Sequence, residues 1–153
     1  MGRPAGGGRP ELTPPVTVRD ATPDDAPAAA ELLEELGYPV SAGEARARLA
    51  RAGERVLLAE SAGRALGLLA LAVQPLITHS RPVARITAMV VRDGARRAGV
   101  GRRLLERAEE LARAGGCPGI ELTSALRPER AAAHRFYEAR GYERTSYRFW
   151  RSL

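Results

Sequence analysis

Seven residues, Arg96-Arg97-Ala98-Gly99-Val100-Gly101-Arg102, carry the clearest chemical pattern in the chain. An apolar run, Ile86 to Val91, precedes them, and a helical pattern from Val100 to Arg113 follows. Glycines at 99 and 101 let main chain approach a ligand with no Cβ between. At a helix start the first amides lack partners, and the dipole adds about half a positive charge. With arginines on both sides, the stretch suits phosphate, and a diphosphate best. Two other phosphate loops are excluded. The chain has no lysine, which a P-loop needs, and after Gly101 it runs Arg102, Arg103, Leu104 instead of reaching the third glycine of a dinucleotide fingerprint. The plainer alternative is a glycine turn ahead of an ordinary helix.

The elements that must position this stretch follow from periodicity. Val16 and Val18 alternate with polar residues as a first strand. Thr22-Pro23-Asp24-Asp25 opens a helix with Ala29, Leu32, Leu33 and Leu36 on its buried side and Gly37 at its end. Ser41-Ala42-Gly43-Glu44 is a capping box for a second helix, to about Ala52. Arg55 to Glu60 and Ala65 to Val73 read as strands joined by a hairpin turn at Ser61 to Arg64. The second is so apolar that it belongs at the centre of a sheet. An irregular loop, Gln74 to Pro82, leads to a fourth strand, Val83 to Val91. The helix after the glycines buries Val100, Leu104, Ala108, Leu111 and Ala112 and ends at Gly115-Gly116. Ile120 to Thr123 is a fifth strand, Arg127-Pro128-Glu129 opens a last helix, and Tyr142 to Trp150 is expected as a last strand. The order β-α-α-β-β-β-α-β-α-β describes a mixed α+β domain.

Composition narrows the function classes. At 153 residues, 44% hydrophobic and 27% charged, the chain reads as one globular domain over 15–153, behind a glycine- and proline-rich tail, 1–14, expected to be disordered. No apolar run approaches a membrane span, and no signal-peptide core is present. The single cysteine, Cys117, excludes an internal disulfide and fits a reducing cytoplasm; it reads as a small packing residue. All 24 basic residues are arginine and the net charge is +6, which favours polyanionic partners. Stacking aromatics and recognition motifs for nucleic acid are missing, so none is expected as a partner. Two histidines and one cysteine without ligand spacing give no case for a metal site.

The glycine stretch behind Ile86-Thr87-Ala88-Met89-Val90-Val91 is followed, about 35 residues on by count along the chain, by Ala133-His134-Arg135-Phe136-Tyr137-Glu138-Ala139-Arg140-Gly141-Tyr142. Together these resemble the GNAT superfamily of N-acetyltransferases over Val16 to Leu153, with a weaker likeness to its aminoalkylphosphonate and glucosamine-phosphate branches. The resemblance implies an acyl-CoA N-acyltransferase fold: a central, mostly antiparallel sheet of six or seven strands, a splayed fourth and fifth strand, and about four flanking helices. It implies acetyl-CoA as co-substrate and direct attack by a primary amine of a small molecule or peptide in a ternary complex.

Site residues carry over one by one. Backbone groups at Met89, Val90 and Val91 would face the amide-rich pantetheine arm, and an N–H of Met89 or Val90 would polarise the thioester carbonyl. Amides of Arg96, Arg97, Ala98, Gly99, Val100, Gly101 and Arg102 would hold the pyrophosphate. Thr123, Arg130, Ala133, Phe136, Tyr137 and Arg140 are the remaining candidates for contact with the carrier. Tyr137 would protonate the departing thiolate, its alternative being a core tyrosine. His134 reads as structural. Family members often place a glutamate on the fourth strand as base, but Arg85, Thr87 and Ala88 stand there. A water chain, Glu121 or His79 could substitute, so His79, Thr87 and Glu121 are candidates for the acceptor side. That missing carboxylate also motivates a second reading, a non-catalytic acyl-CoA sensor or protein-interaction module. The apolar last strand around Phe149 and Trp150 suggests a homodimer.

Overall fold

The structure, a computed structural model, describes residues 15–51, 53–96 and 98–153. The tail at 1–14 and Arg97 lie outside the described residues. The chain divides into two compact units, residues 1–121 and 122–153.

Five strands form one sheet in the order β1 (Thr17–Asp20), β2 (Arg55–Ser61), β3 (Arg64–Gln74), β4 (Val83–Val91) and β5 (Ile120–Leu122). β1 to β4 pair antiparallel, and β5 lies parallel to β4. The apolar run expected at the centre is β3, buried from Leu66 to Ala72 between β2 and β4.

Three helices belong to the first unit. α1 (Ala26–Leu36) follows a 3-10 turn in which the Thr22 amide donates to Asp25 Oδ2 at 2.7 Å, satisfying one of the donors a helix start leaves open. α2 (Ala42–Ala50) begins where Ser41 Oγ accepts from the Glu44 amide at 3.1 Å, as the capping box requires. Ala29 and Leu32 of α1 pack on Leu58, Leu68 and Val90, one residue from each of β2, β3 and β4. α3 (Val100–Ala114) buries Val100, Leu104, Leu105, Ala108 and Ala112. It crosses β3 at Gly67, next to Leu68. Since successive strand residues face opposite ways, α1 and α3 hold opposite faces of the sheet.

In the second unit a 3-10 turn at Pro128–Arg130 leads into α4 (Ala131–Glu138). The last strand expected over Tyr142 to Trp150 is absent among the described residues, so the sheet has five strands rather than six or seven. A strand exists only where a neighbouring backbone takes its amides and carbonyls. This segment makes no ladder, and its apolar side chains lie open, Tyr147 at 82%, Phe149 at 92% and Trp150 at 78% exposure.

Candidate active site

β4 is irregular at its middle. Ala70 of β3 pairs with Ala88 and Leu71 pairs with Ile86, so Thr87 is an extra residue on β4. Such a bulge bends the strand and re-aims its side chain. The Thr87 hydroxyl donates to Glu54 Oε1, from the residue just before β2. Two residues earlier, Arg85 holds Glu121 of β5 through Nε at 2.8 Å. That ion pair sets β5 against the first half of β4. With three residues against nine, β5 ends before β4 reaches Met89 to Val91.

Beyond Val91 the chain is pinned before it turns. The Arg92 amide donates to Leu66 O at 2.7 Å, and its guanidinium donates to Ala65 O at 3.0 Å. The same guanidinium pairs with Glu31 at 3.0 Å and Glu35 at 3.4 Å on α1. Ala95 is buried, and Gly99 then reverses the chain at φ +81°, a conformation that side-chain-bearing residues rarely adopt. α3 starts at Val100 with no side-chain cap and no acid in its first turn. α2, by contrast, has both a serine cap and a glutamate in its first turn. An uncapped helix start with arginine in place of acid is an anion site by chemistry: the first amides and the dipole await negative charge. Arg102 pairs with Glu106 at 3.2 Å, and its Nη2 lies 3.7 Å from where a Cβ on Gly99 would sit, so the guanidinium borders the bend. Arg96 pairs with Asp93 at 3.2 Å, and Arg103 ties α3 to the residue just before β1 through Val16 O at 2.9 Å. The donors present therefore fit a diphosphate.

Gly67 seats that helix start. A Cβ there would meet Leu104 Cδ1 and Val90 O at 3.0 Å and Val100 Cγ1 at 3.1 Å. Only a bare backbone lets α3 lie this close to β3. A lone glycine in an apolar strand signals a close approach, but not which helix makes it.

In the second unit, Tyr137 is half-buried on α4. Its ring meets Phe136 edge-on at 5.3 Å and Tyr142 at 5.7 Å. Burial pushes its phenol above the ordinary tyrosine range, and the charge of Arg130 opposes this. The group therefore keeps its proton at neutral pH, the form an acid needs. Arg140 lies over the Phe136 ring at 4.0 Å, a cation–π contact, and Ala133 is half-buried on the same helix. His134 Nε2 meets Ser124 Oγ at 3.1 Å. Thr123 is exposed just beyond β5.

Of the acceptor-side candidates, Glu121 is engaged by Arg85. His79 Nδ1 meets Thr78 Oγ1 at 2.8 Å and borders a hollow of about 280 Å³ with Val83, Ile120 and Glu121. Arg92, Gly67 and Glu54 were missed by sequence reasoning; only Gly67, a lone glycine inside a strand, carried a readable signal. Among the described residues no cluster of three potential metal ligands occurs, and no helix is long and apolar enough to cross a membrane.

Known proteins share this architecture. The acetyltransferase (GNAT) family profile matches residues 21–142. An aminoalkylphosphonate N-acetyltransferase of Salmonella typhimurium is 31% identical over 150 residues, 95% of this chain and 96% of that protein. The crystal structure of a Trypanosoma brucei acetyltransferase superposes with a TM-score of 0.76 at 28% identity, covering 90% of this chain and 99% of that one. A ribosomal-protein-alanine N-acetyltransferase of Brucella melitensis biovar Abortus, at 17% identity and a TM-score of 0.79 over 90% of this chain and 99% of that one, shares the fold. With a family match spanning most of its length and a relative 31% identical across nearly all of it, the chain belongs to the GNAT acetyltransferase family.

Proposed function

We propose that this acetyltransferase uses acetyl-CoA and transfers its acetyl group to a primary amine of a small molecule by direct attack in a ternary complex. The observation that carries the reading is the acid-free, uncapped start of α3 behind left-handed Gly99. Amides from Arg96 to Arg102 receive the pyrophosphate. The second half of β4, from Met89 to Val91, runs beyond the end of β5 and lines the pantetheine arm. Thr123, Arg130, Ala133, Phe136 and Arg140 support the rest of the carrier.

The chemistry needs three services. An N–H of Met89 or Val90 stabilises the oxygen of the tetrahedral intermediate. The amine attacks the carbonyl carbon, the C–S bond breaks, and Tyr137 gives its proton to the thiolate sulfur. A base must take a proton from the ammonium. The name of the Salmonella relative makes aminoalkylphosphonates the first acceptors to try. A non-catalytic sensor draws no support from the comparisons. We read residues 15–153 as one catalytic domain, the exposed Tyr147, Phe149 and Trp150 as a homodimer contact, and the cytoplasm as its compartment.

The test is CoA release from acetyl-CoA across a panel of amines, with aminomethylphosphonate and 2-aminoethylphosphonate included. Tyr137→Phe should lower kcat by about 10²-fold or more, the scale of general acid catalysis, while acetyl-CoA affinity by calorimetry stays within about twofold. Full turnover by that variant removes Tyr137 from the mechanism. Absence of CoA release on every amine removes the reading.

A further inference from the structure

We infer that Glu54 accepts the proton of the acceptor ammonium, so that this chain brings its base from the approach to β2 rather than from β4; the inference rests on the acetyltransferase reading above. Every carboxylate on β4 and β5 is accounted for. β4 has none, and Glu121 of β5 is held by Arg85. Glu54 is exposed, and among the described residues its side chain hydrogen-bonds to the neutral hydroxyl of Thr87. Most acids in this arginine-rich chain sit on a guanidinium. Glu54 is in no ion pair among the described residues. Arg51, three residues before it, makes no hydrogen bond or ion pair to it, and the nearby Arg55 is taken by Asp20 on β1 at 2.6 Å.

The fold explains how a residue before β2 reaches β4. β3 lies between them and carries Ala70 and Ala72, whose side chains are too short to block the way. The bulge at Thr87 turns a hydroxyl toward that gap. Thr87 is therefore a positioning residue. By donating to Oε1 it orients the carboxylate and leaves Oε2 for the ammonium. Glu54 takes one N–H proton, the freed lone pair forms the N–C bond, and the C–S bond breaks. The nitrogen's second proton leaves to solvent, Tyr137 regains one from solvent after it has protonated the sulfur, and Glu54 releases its proton to solvent. The balance is one ammonium and one thioester giving one amide, one thiol and one proton.

The test compares wild type, Glu54→Gln and Thr87→Val with 2-aminoethylphosphonate, which arrives as ammonium, and hydroxylamine, which is neutral at pH 7. Acetyl-CoA affinity and melting temperature serve as controls. Glu54→Gln should slow the ammonium reaction at pH 7 by about 10²-fold and recover steadily as pH rises toward the amine's own pKa, with the neutral amine slowed less than about threefold. Thr87→Val should shift the pH profile in the same direction with a smaller, roughly tenfold, loss. Equal slowing of both amines, or an unchanged ammonium rate, overturns the role of Glu54. Wild type that binds acetyl-CoA yet acetylates neither amine, nor any other in the panel, overturns the transferase reading and this assignment with it.

Discussion

Gly67→Ala is the sharpest test of how the sheet seats α3. The new methyl would sit 3.0 Å from Val90 O, 3.0 Å from Leu104 Cδ1 and 3.1 Å from Val100 Cγ1, where carbon contacts normally settle near 3.5–4.0 Å. The two side-chain ends can rotate away at the cost of repacking. The carbonyl cannot, because Val90 is held in register opposite Leu68. Overpacking of this kind costs about 1–3 kcal/mol, and replacing glycine returns about 0.5–1 kcal/mol through the unfolded chain. The net loss is about 1–2 kcal/mol, a drop in Tm of about 3–6 °C for a chain of this length. Val100 is the first residue of α3, so the relief comes from moving the very turn proposed to hold the diphosphate. Urea and thermal unfolding should show the destabilisation, and calorimetry should show acetyl-CoA affinity weakened several-fold. Adding Val100→Ala removes one of the three clashes, so the double variant should be more stable than the sum of singles by about 0.5–1 kcal/mol. An unchanged Tm for Gly67→Ala, or strict additivity in the cycle, would refute the close seating of α3 on β3.

Three further outcomes follow from other residues. Gly99→Val forces a β-branched side chain to φ +81° and should weaken acetyl-CoA binding by at least about 10²-fold; unchanged affinity in calorimetry rejects the grip. Asp25 is held down to about pH 2 by the Arg19 guanidinium first, with the Thr22 amide adding to it. Its stabilisation is complete above the ordinary carboxylate range near 3.8 and is lost as pH falls toward 2. Urea unfolding from pH 5 to 2 should therefore steepen in wild type by about 1 kcal/mol, the scale of a partly exposed pair, and flatten in Asp25→Asn; parallel curves contradict it. Tyr137 has the opposite sign. Its raised phenol contributes stability that is present below pH 10 and lost as pH rises through the folded value, so ultraviolet titration of the four tyrosines should show a late phenolate absent from Tyr137→Phe.

Much of the fold was legible because its signals are local. Val83 to Val91 and the helix from Val100 announce themselves through apolar spacing, and the observed limits of β4 and α3 agree with that spacing to within a residue. Thr22, Ser41 and Gly37 mark helix ends through chemistry that involves only their neighbours in sequence. Tyr142 to Trp150 has strand composition just as strong, yet makes no ladder among the described residues. A composition of aromatic and β-branched residues expresses fitness for a pleated surface, while a strand also needs a partner, and the partner is not encoded in the same residues.

The site divides along the same line. The glycine turn is contiguous, so the reversal at Gly99 and the helix start behind it could be read from seven letters. The base could not, because two facts separate Glu54 from the strand it serves. One is the β2–β3–β4 order, which places residue 54 within reach of residue 87. The other is a register shift of a single residue between Ala70 and Leu71, which turns Thr87 to meet it. No spacing along the chain expresses either. A strand-four glutamate is therefore one solution to a geometric requirement, a carboxylate beside the amine, and its absence from Arg85, Thr87 and Ala88 does not imply an inert protein. What strand four must supply here is the bulge and a hydroxyl, and the sheet brings the carboxylate to them.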